Sequence, residues 1–141
     1  MNRRRIVAYL WVSPVTVAAL SFVALGLATG GRVSVVAGVI EVHGGVITRL
    51  LRRGSPWMGP ISAMTLGHVI LGRNQECLDT SRFHEHVHVR QFERWGALMI
   101  PLYLGASVWC RIQGRNPYLD NPFEVEAYAE DAARRESTTG G

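Results

Sequence analysis

The sequence predicts an α+β fold, in which one apolar N-terminal helix precedes a small domain of short strands and helices. The chain opens with a long uncharged stretch, continues through β-branched residues interrupted by glycines, and then shows helical patterns with start signals. Its 141 residues leave room for one small domain beside the first helix. We therefore expect an N-terminal anchor at 1–30, a domain at 31–131 and a disordered tail at 132–141.

The first element, residues 6–29, is predicted to be a membrane-spanning helix. It contains no charged residue and is long enough to cross a hydrocarbon layer of ~30 Å. Arg3, Arg4 and Arg5 precede it, and positive charge is retained on the cytoplasmic side. We expect a single-pass protein of the cell membrane, with its N-terminus in the cytoplasm and its domain outside. A cleaved signal peptide is the alternative, although its apolar region is typically shorter and ends in a small-x-small site.

The next segments are predicted to be strands. Val33 to Leu51 mixes β-branched residues with three glycines, which indicates short strands joined by a glycine turn, as in a hairpin. A loop that contains three arginines is expected at 49–56. Ile61 to Leu71 is typical of a further strand, and Gly72-Arg73-Asn74 ends it.

A candidate metal motif follows in His84-Glu85-His86-Val87-His88, within a helix predicted to start near Asp79-Thr80-Ser81. Helical residues four apart share a face, so His84 and His88 can bind one ion with Glu85 beside it. Neutral imidazoles are zinc ligands, and a catalytic site adds one more protein ligand and a water. Zinc lowers the pKa of that water towards ~7, and a neighbouring carboxylate can take its proton. The motif predicts a Zn²⁺ site with Glu85 as the catalytic base.

The roles of two other histidines stay open, and the motif itself has a simpler alternative interpretation. His86 points about 200° around an ideal helix from His84, so we expect it to pack rather than bind the same ion. His68 is a further potential ligand, although a partly buried strand histidine is the simpler interpretation. The whole motif could also be a solvated histidine-rich helix face.

The third ligand is expected downstream, where Asn121-Pro122 has the pattern of a helix start. Glu124 lies three residues after this cap and is the first candidate for the metal. The same position fits a capping box, which is its structural alternative. Glu126 is the second candidate.

Together, His84-Glu85-x-x-His88 and the later Glu124-x-Glu126-Ala127-Tyr128 resemble the gluzincin-type zinc metallopeptidases, in a small, membrane-anchored bacterial branch. The resemblance implies a zincin-like domain, Zn²⁺ held by His84, His88 and Glu124, and peptide-bond hydrolysis by a zinc-activated water. It also implies that the strand before the motif helix, near Thr65 to Val69, borders the substrate groove. Tyr128 departs from the family pattern, since it stands where an Asp or Asn supports a ligating histidine.

Residues 97–110 are strongly apolar and lie between the proposed ligands. A single crossing there would place His88 and Glu124 on opposite sides of a membrane. The stretch is also short for a span, and Pro101 interrupts it. We expect a buried or interfacial helix packed on the motif helix.

The expected partners are the lipid bilayer and a peptide or protein substrate, with other membrane proteins as an open alternative. The net charge of +4 is spread along the chain, which argues against nucleic-acid binding. Two other functions stay open: a non-catalytic metal-stabilised scaffold or accessory subunit of a membrane complex, and metal storage or sensing. Whether Cys77 and Cys110 form a disulfide is also open.

Overall fold

The computed structural model describes residues 2–56 and 58–141, and its four strands form one mixed sheet. A 3-10 turn, Gly96–Leu98, separates the helix that ends at Trp95 from the helix that begins at Met99. This architecture confirms the α+β class and the apolar N-terminal helix. Along the chain, the elements are α1 (Arg3–Ala28), β1 (Arg32–Val36), β2 (Val39–His43), α2 (Gly45–Arg53), β3 (Ala63–Leu66), β4 (Val69–Gly72), α3 (Gln75–Trp95), α4 (Met99–Ile112) and α5 (Pro122–Thr139). The strands lie in the sheet in the order β1-β2-β4-β3.

The sheet consists of two antiparallel hairpins that lie side by side. β1 pairs with β2, and β3 pairs with β4. The hairpins join through parallel pairing of β2 with β4, in which Ile40 lies opposite Val69. The β1–β2 pair confirms the hairpin expected near Val33, and β3 is left at an edge of the sheet.

Two strand predictions are wrong. Residues 45–53 form α2, because Ile47 and Leu51 are one helical turn apart and both are buried, while the arginines between and after them are exposed. The stretch 61–71 contains two strands instead of one. The chain turns at Gly67, where φ is +63° and an added Cβ would lie 2.6 Å from Thr16 Oγ1.

The two helices that carry the predicted metal ligands are longer than expected. α3 begins at Gln75, before Asp79, because the side chain of Asn74 caps it by accepting from Cys77 N at 2.8 Å. α5 begins as predicted, with Asn121 as its cap and Pro122 in the first turn. It continues to Thr139, across most of the segment for which disorder was expected.

α1, the apolar N-terminal helix, also forms part of the hydrophobic core of the domain. Ala19 and Val23 pack in one core cluster with residues of the sheet and α2. Val12 and Val15 pack in a second with Phe92 of α3. The opposite face of α1 is apolar and exposed. Among the described residues, two helical stretches are long and apolar enough to cross a membrane: Arg3–Ala28 and Gln75–Ile112.

Because α1 supplies one side of both clusters, we expect the chain that begins at residue 29 not to fold. Each buried valine contributes roughly 1.5–3 kcal/mol, which is a large part of a total stability of about 5–15 kcal/mol. Circular dichroism during thermal unfolding in detergent should show no cooperative transition for residues 29–141. Deletion of the exposed residues 134–141 is the control and should leave the transition in place. A cooperative transition for residues 29–141 would show that α1 serves only as an anchor and is not needed for folding.

Candidate metal centre

Three side chains converge between α3 and α5, and they are the three that the sequence predicts as ligands. His84 and His88 lie one turn apart on α3, and Glu124 lies in the first turn of α5. All are buried, with 3–7% of each residue exposed. One potential ligand atom from each lies within 4.8 Å of the other two. This group could hold a metal ion.

The spacing of these atoms fits a small tetrahedral ion. His84 Nε2 lies 3.2 Å from His88 Nε2 and 3.0 Å from Glu124 Oε2. His88 Nε2 lies 3.3 Å from Glu124 Oε1. Ligand bonds of about 2.0 Å in tetrahedral geometry place the ligand atoms about 3.3 Å apart. Two imidazoles and one carboxylate also form the ligand set found in catalytic zinc sites.

Gln91 holds His88 in the form that a metal requires. Its amide nitrogen donates to the carbonyl oxygen of Phe123 and to Glu126 Oε2, both at 3.0 Å. This orients the amide so that its oxygen faces His88 Nδ1 at 2.8 Å and accepts the proton there. With Nδ1 protonated, a neutral His88 directs the lone pair of Nε2 into the cluster. Gln91 thus supports a ligand and links α3 to α5.

Replacing Gln91 by leucine is expected to weaken zinc binding roughly 10- to 100-fold, because the proton on His88 Nδ1 loses its acceptor. Competition with a fluorescent zinc chelator in detergent measures this affinity. Gln75→Leu, an exposed change on the same helix, is the control and should leave it unchanged. Equal affinities of the two variants would contradict the role assigned to Gln91.

Two tyrosines complete the surroundings of the ligands. The Tyr103 hydroxyl of α4 donates to Glu124 Oε1 at 2.7 Å, which fixes the carboxylate from the side away from His84 Nε2. The ring of Tyr128 lies 4.4 Å from the ring of His84, and its hydroxyl lies 3.0 Å from that of Tyr118. Tyr128 thus contacts a ligand through its ring. Tyr128 stands where an Asp or Asn would support a ligating histidine, and here Gln91 supports His88 instead.

Glu85 lies next to the ligands and is held by the edge strand. Thr65 of β3 donates to Glu85 Oε2 at 2.7 Å. The residue is 6% exposed, and burial raises the pKa of its carboxyl group despite the nearby histidines and the Thr65 hydrogen bond. A buried carboxyl group with increased proton affinity is suited to accept and return a proton.

Without a metal, Glu124 keeps His88 protonated. Burial opposes the charged imidazole, but the hydrogen bond and the negative charge of Glu124 outweigh it and raise the pKa of His88 to about 9. Burial likewise opposes the Glu124 carboxylate, but hydrogen bonds from His84 and His88 lower its pKa to about 2. The ion pair occupies the place that a metal would take.

Zinc binding at about pH 7.5 is therefore expected to release close to one proton per ion, since His88 must lose the proton on Nε2. The His88 contribution should fall towards zero as the pH rises above its pKa of about 9, while a zinc-bound water still releases its own proton. Affinity should weaken as the pH falls below the His88 pKa. Calorimetric titrations in buffers of different ionisation enthalpy measure the proton count. Zero release near neutral pH would contradict the protonated metal-free site.

The other sequence candidates lie outside the cluster. Glu126 accepts from Gln91 and pairs with Arg94 at 3.4 Å, so it is not a ligand in this arrangement. His68 stacks on Tyr9 of α1, with ring centroids 4.2 Å apart, and its Nε2 lies 2.9 Å from Glu93 Oε1. His86 is half-buried and is not part of the ligand group, as its helical position predicts. Cys77 and Cys110 are both free.

Sequence reasoning did not identify Gln91 and Tyr103. Gln91 follows His88 by three residues, so helical spacing alone places it beside that ligand. Tyr103 had no such signal, because its contact with Glu124 depends on how α4 packs on α5.

No family model, curated protein or solved structure matches the chain. The resemblance to gluzincins stays a hypothesis that rests on the motif residues.

Proposed function

We propose that the protein is a membrane-anchored zinc-dependent peptidase, with His84, His88 and Glu124 as ligands and Glu85 as the catalytic base. The observation that carries this proposal is the placement of Glu85. It is next to a ligand on the same helix, buried, and oriented by Thr65. A site that only stores or senses metal does not need a carboxylate held in this way.

When bound at such a site, zinc polarises a substrate carbonyl and lowers the pKa of a water towards ~7. In the proposed reaction, Glu85 accepts a proton from the attacking water and passes it to the leaving nitrogen. Thr65 keeps the Glu85 carboxylate aligned throughout. Tyr103 and Gln91 hold the ligands Glu124 and His88 in place.

Two features support an extended peptide as the substrate. β3 is an edge strand that carries Thr65, so a peptide added to that edge would pass Glu85. A pocket of about 320 Å³ opens beside Tyr103, the residue that donates to Glu124. Its walls are largely apolar, which suits an apolar side chain of the substrate. The lining residues are Ser55, Met58, Tyr103, Leu104, Ser107, Val108 and Pro117.

For location, we propose that α1 crosses the cell membrane once, with its N-terminus in the cytoplasm. Arg3, Arg4 and Arg5 at its start are the positive charges that the cytoplasmic side retains. The metal centre then lies on the outer side, with the bilayer as a permanent partner.

Hydrolysis of a quenched-fluorescent peptide library by the full chain in detergent tests this function. We expect activity that a chelator abolishes and stoichiometric zinc restores. A zinc-loaded protein that cleaves none of the library would contradict the peptidase and favour a metal-stabilised scaffold.

A further inference from the structure

The helix α4 exposes more apolar surface than a water-facing helix normally does. Trp109 and Ile112 are 60% and 72% exposed, and residues 97–110 include no charged side chain. Monomeric proteins in water rarely carry a continuous apolar surface of this kind without a function for it. The apolar covering of this helix therefore needs an explanation.

An apolar groove of about 370 Å³ joins α4 to the middle of α1. One wall is formed by α1, and the other by the start of α4 with Leu66 of β3. Every lining residue is apolar: Pro14, Val15, Ala18, Ala19, Phe22, Leu66, Ala97 and Ile100. The exposed faces of the two helices thus continue into each other across the groove.

The groove places the start of α4 beside the middle of α1. Residues 14–22 are the central part of the 26-residue α1, so in a spanning α1 they lie within the hydrocarbon layer. Ala97 and Ile100 face this part of α1 across the groove. α4 does not cross, because His84 before it and Glu124 after it are 3.0 Å apart. Its 14 residues also span only about 21 Å.

We propose that α4 and the outer face of α1 form one lipid-embedded surface, and that an acyl chain of a bilayer phospholipid fills the groove between them. This inference rests on the proposed membrane location of α1. The bilayer is the occupant that the structure favours, because the groove continues the lipid-facing surface of α1 and offers no polar side chain. The chain is then held in the membrane by two helices instead of one.

This surface places the metal centre at the membrane boundary. α4 carries Tyr103, whose hydroxyl reaches Glu124, and the neighbouring Leu102 is exposed. Only one side chain separates the lipid-embedded helix from a metal ligand. Movement of α4 in the bilayer would therefore be transmitted to Glu124.

Photolabelling of the unmodified full chain in phosphatidylcholine vesicles tests the proposal. The vesicles contain a phosphatidylcholine with a diazirine in its acyl chain, and adducts are mapped by mass spectrometry. We expect adducts on α1 and, at comparable yield, on residues 97–109. Adducts confined to α1 would overturn the proposal. Cross-linking of α4 to a second copy without lipid adducts would also overturn it, in favour of a dimer contact.

Tryptophan quenching provides a second measurement. A variant that keeps Trp109 as its sole tryptophan should be quenched at least about twofold by phosphatidylcholine brominated on its acyl chains, and little by aqueous iodide. The control keeps a sole tryptophan at Phe83→Trp, between Arg90 and Arg134, and should show the reverse. Iodide quenching of Trp109 without lipid quenching would overturn the proposal. Neither measurement involves peptide cleavage, so the peptidase proposal can fail while the lipid surface stands, and the reverse.

Discussion

Glu85→Gln is expected to lower peptide hydrolysis roughly 100- to 10,000-fold while the protein keeps its zinc, because the amide cannot accept the proton of the attacking water. Glutamine has nearly the same shape and still offers an oxygen to the Thr65 hydroxyl. The metal ligands are unchanged, so zinc affinity and thermal stability should stay near those of the wild type. Initial rates on the best library peptide, with zinc content measured on the same sample, test this expectation.

Glu76→Gln is the matched control, since Glu76 is exposed in the first turn of the same helix. This variant should hydrolyse the peptide at the wild-type rate. If Glu85→Gln also retained the wild-type rate with full zinc, Glu85 would not be the catalytic base, and a contaminating peptidase or another base would have to account for the activity.

The second large effect is expected for Glu124→Ala, which should remove the stabilisation that zinc provides. Zinc at 100 times its dissociation constant adds about 2.7 kcal/mol to the folded state, which corresponds to roughly 10 °C in the unfolding temperature of a domain of this size. Loss of Glu124 also leaves the Tyr103 hydroxyl without its acceptor, so the absolute stability will fall too. The informative quantity is the difference between melting curves with zinc and with chelator.

Glu126→Ala is the control for this difference. Glu126 contacts Gln91 and Arg94 rather than the ligand atoms, and Gln91 keeps its bond to the carbonyl of Phe123. We expect the zinc-dependent shift to persist in Glu126→Ala and to vanish in Glu124→Ala. The opposite result would make Glu126 the ligand.

The candidate site was largely predictable because its information is local. The spacing of His84, Glu85 and His88 on one helix determines their relative placement without reference to the rest of the fold. Asn121-Pro122 marked the start of α5 and so placed Glu124 in its first turn. Only the packing of α5 on α3 decided between Glu124 and Glu126, and helical position alone contains no information on that packing.

The less predictable parts depend on tertiary contacts. A strand was predicted for residues of α2 because β-branched residues favour strands. Burial of Ile47 and Leu51 against α1 and the sheet selects the helix instead. The apolar residues of α1 satisfy the length rule for a span, yet Val12 and Ala19 are buried in the domain core. Apolar composition does not distinguish contact with lipid from contact with protein, and α1 has one apolar face packed in the core and an opposite apolar face exposed.

The most direct test of the three-ligand site is elemental analysis of zinc per chain in detergent-purified wild type, Glu124→Ala and Glu126→Ala. The arrangement of His84, His88 and Glu124 predicts one zinc in the wild type and in Glu126→Ala, and none in Glu124→Ala. Absence of zinc from the wild type after purification with ample metal would contradict the metal centre, and with it the proposed peptidase.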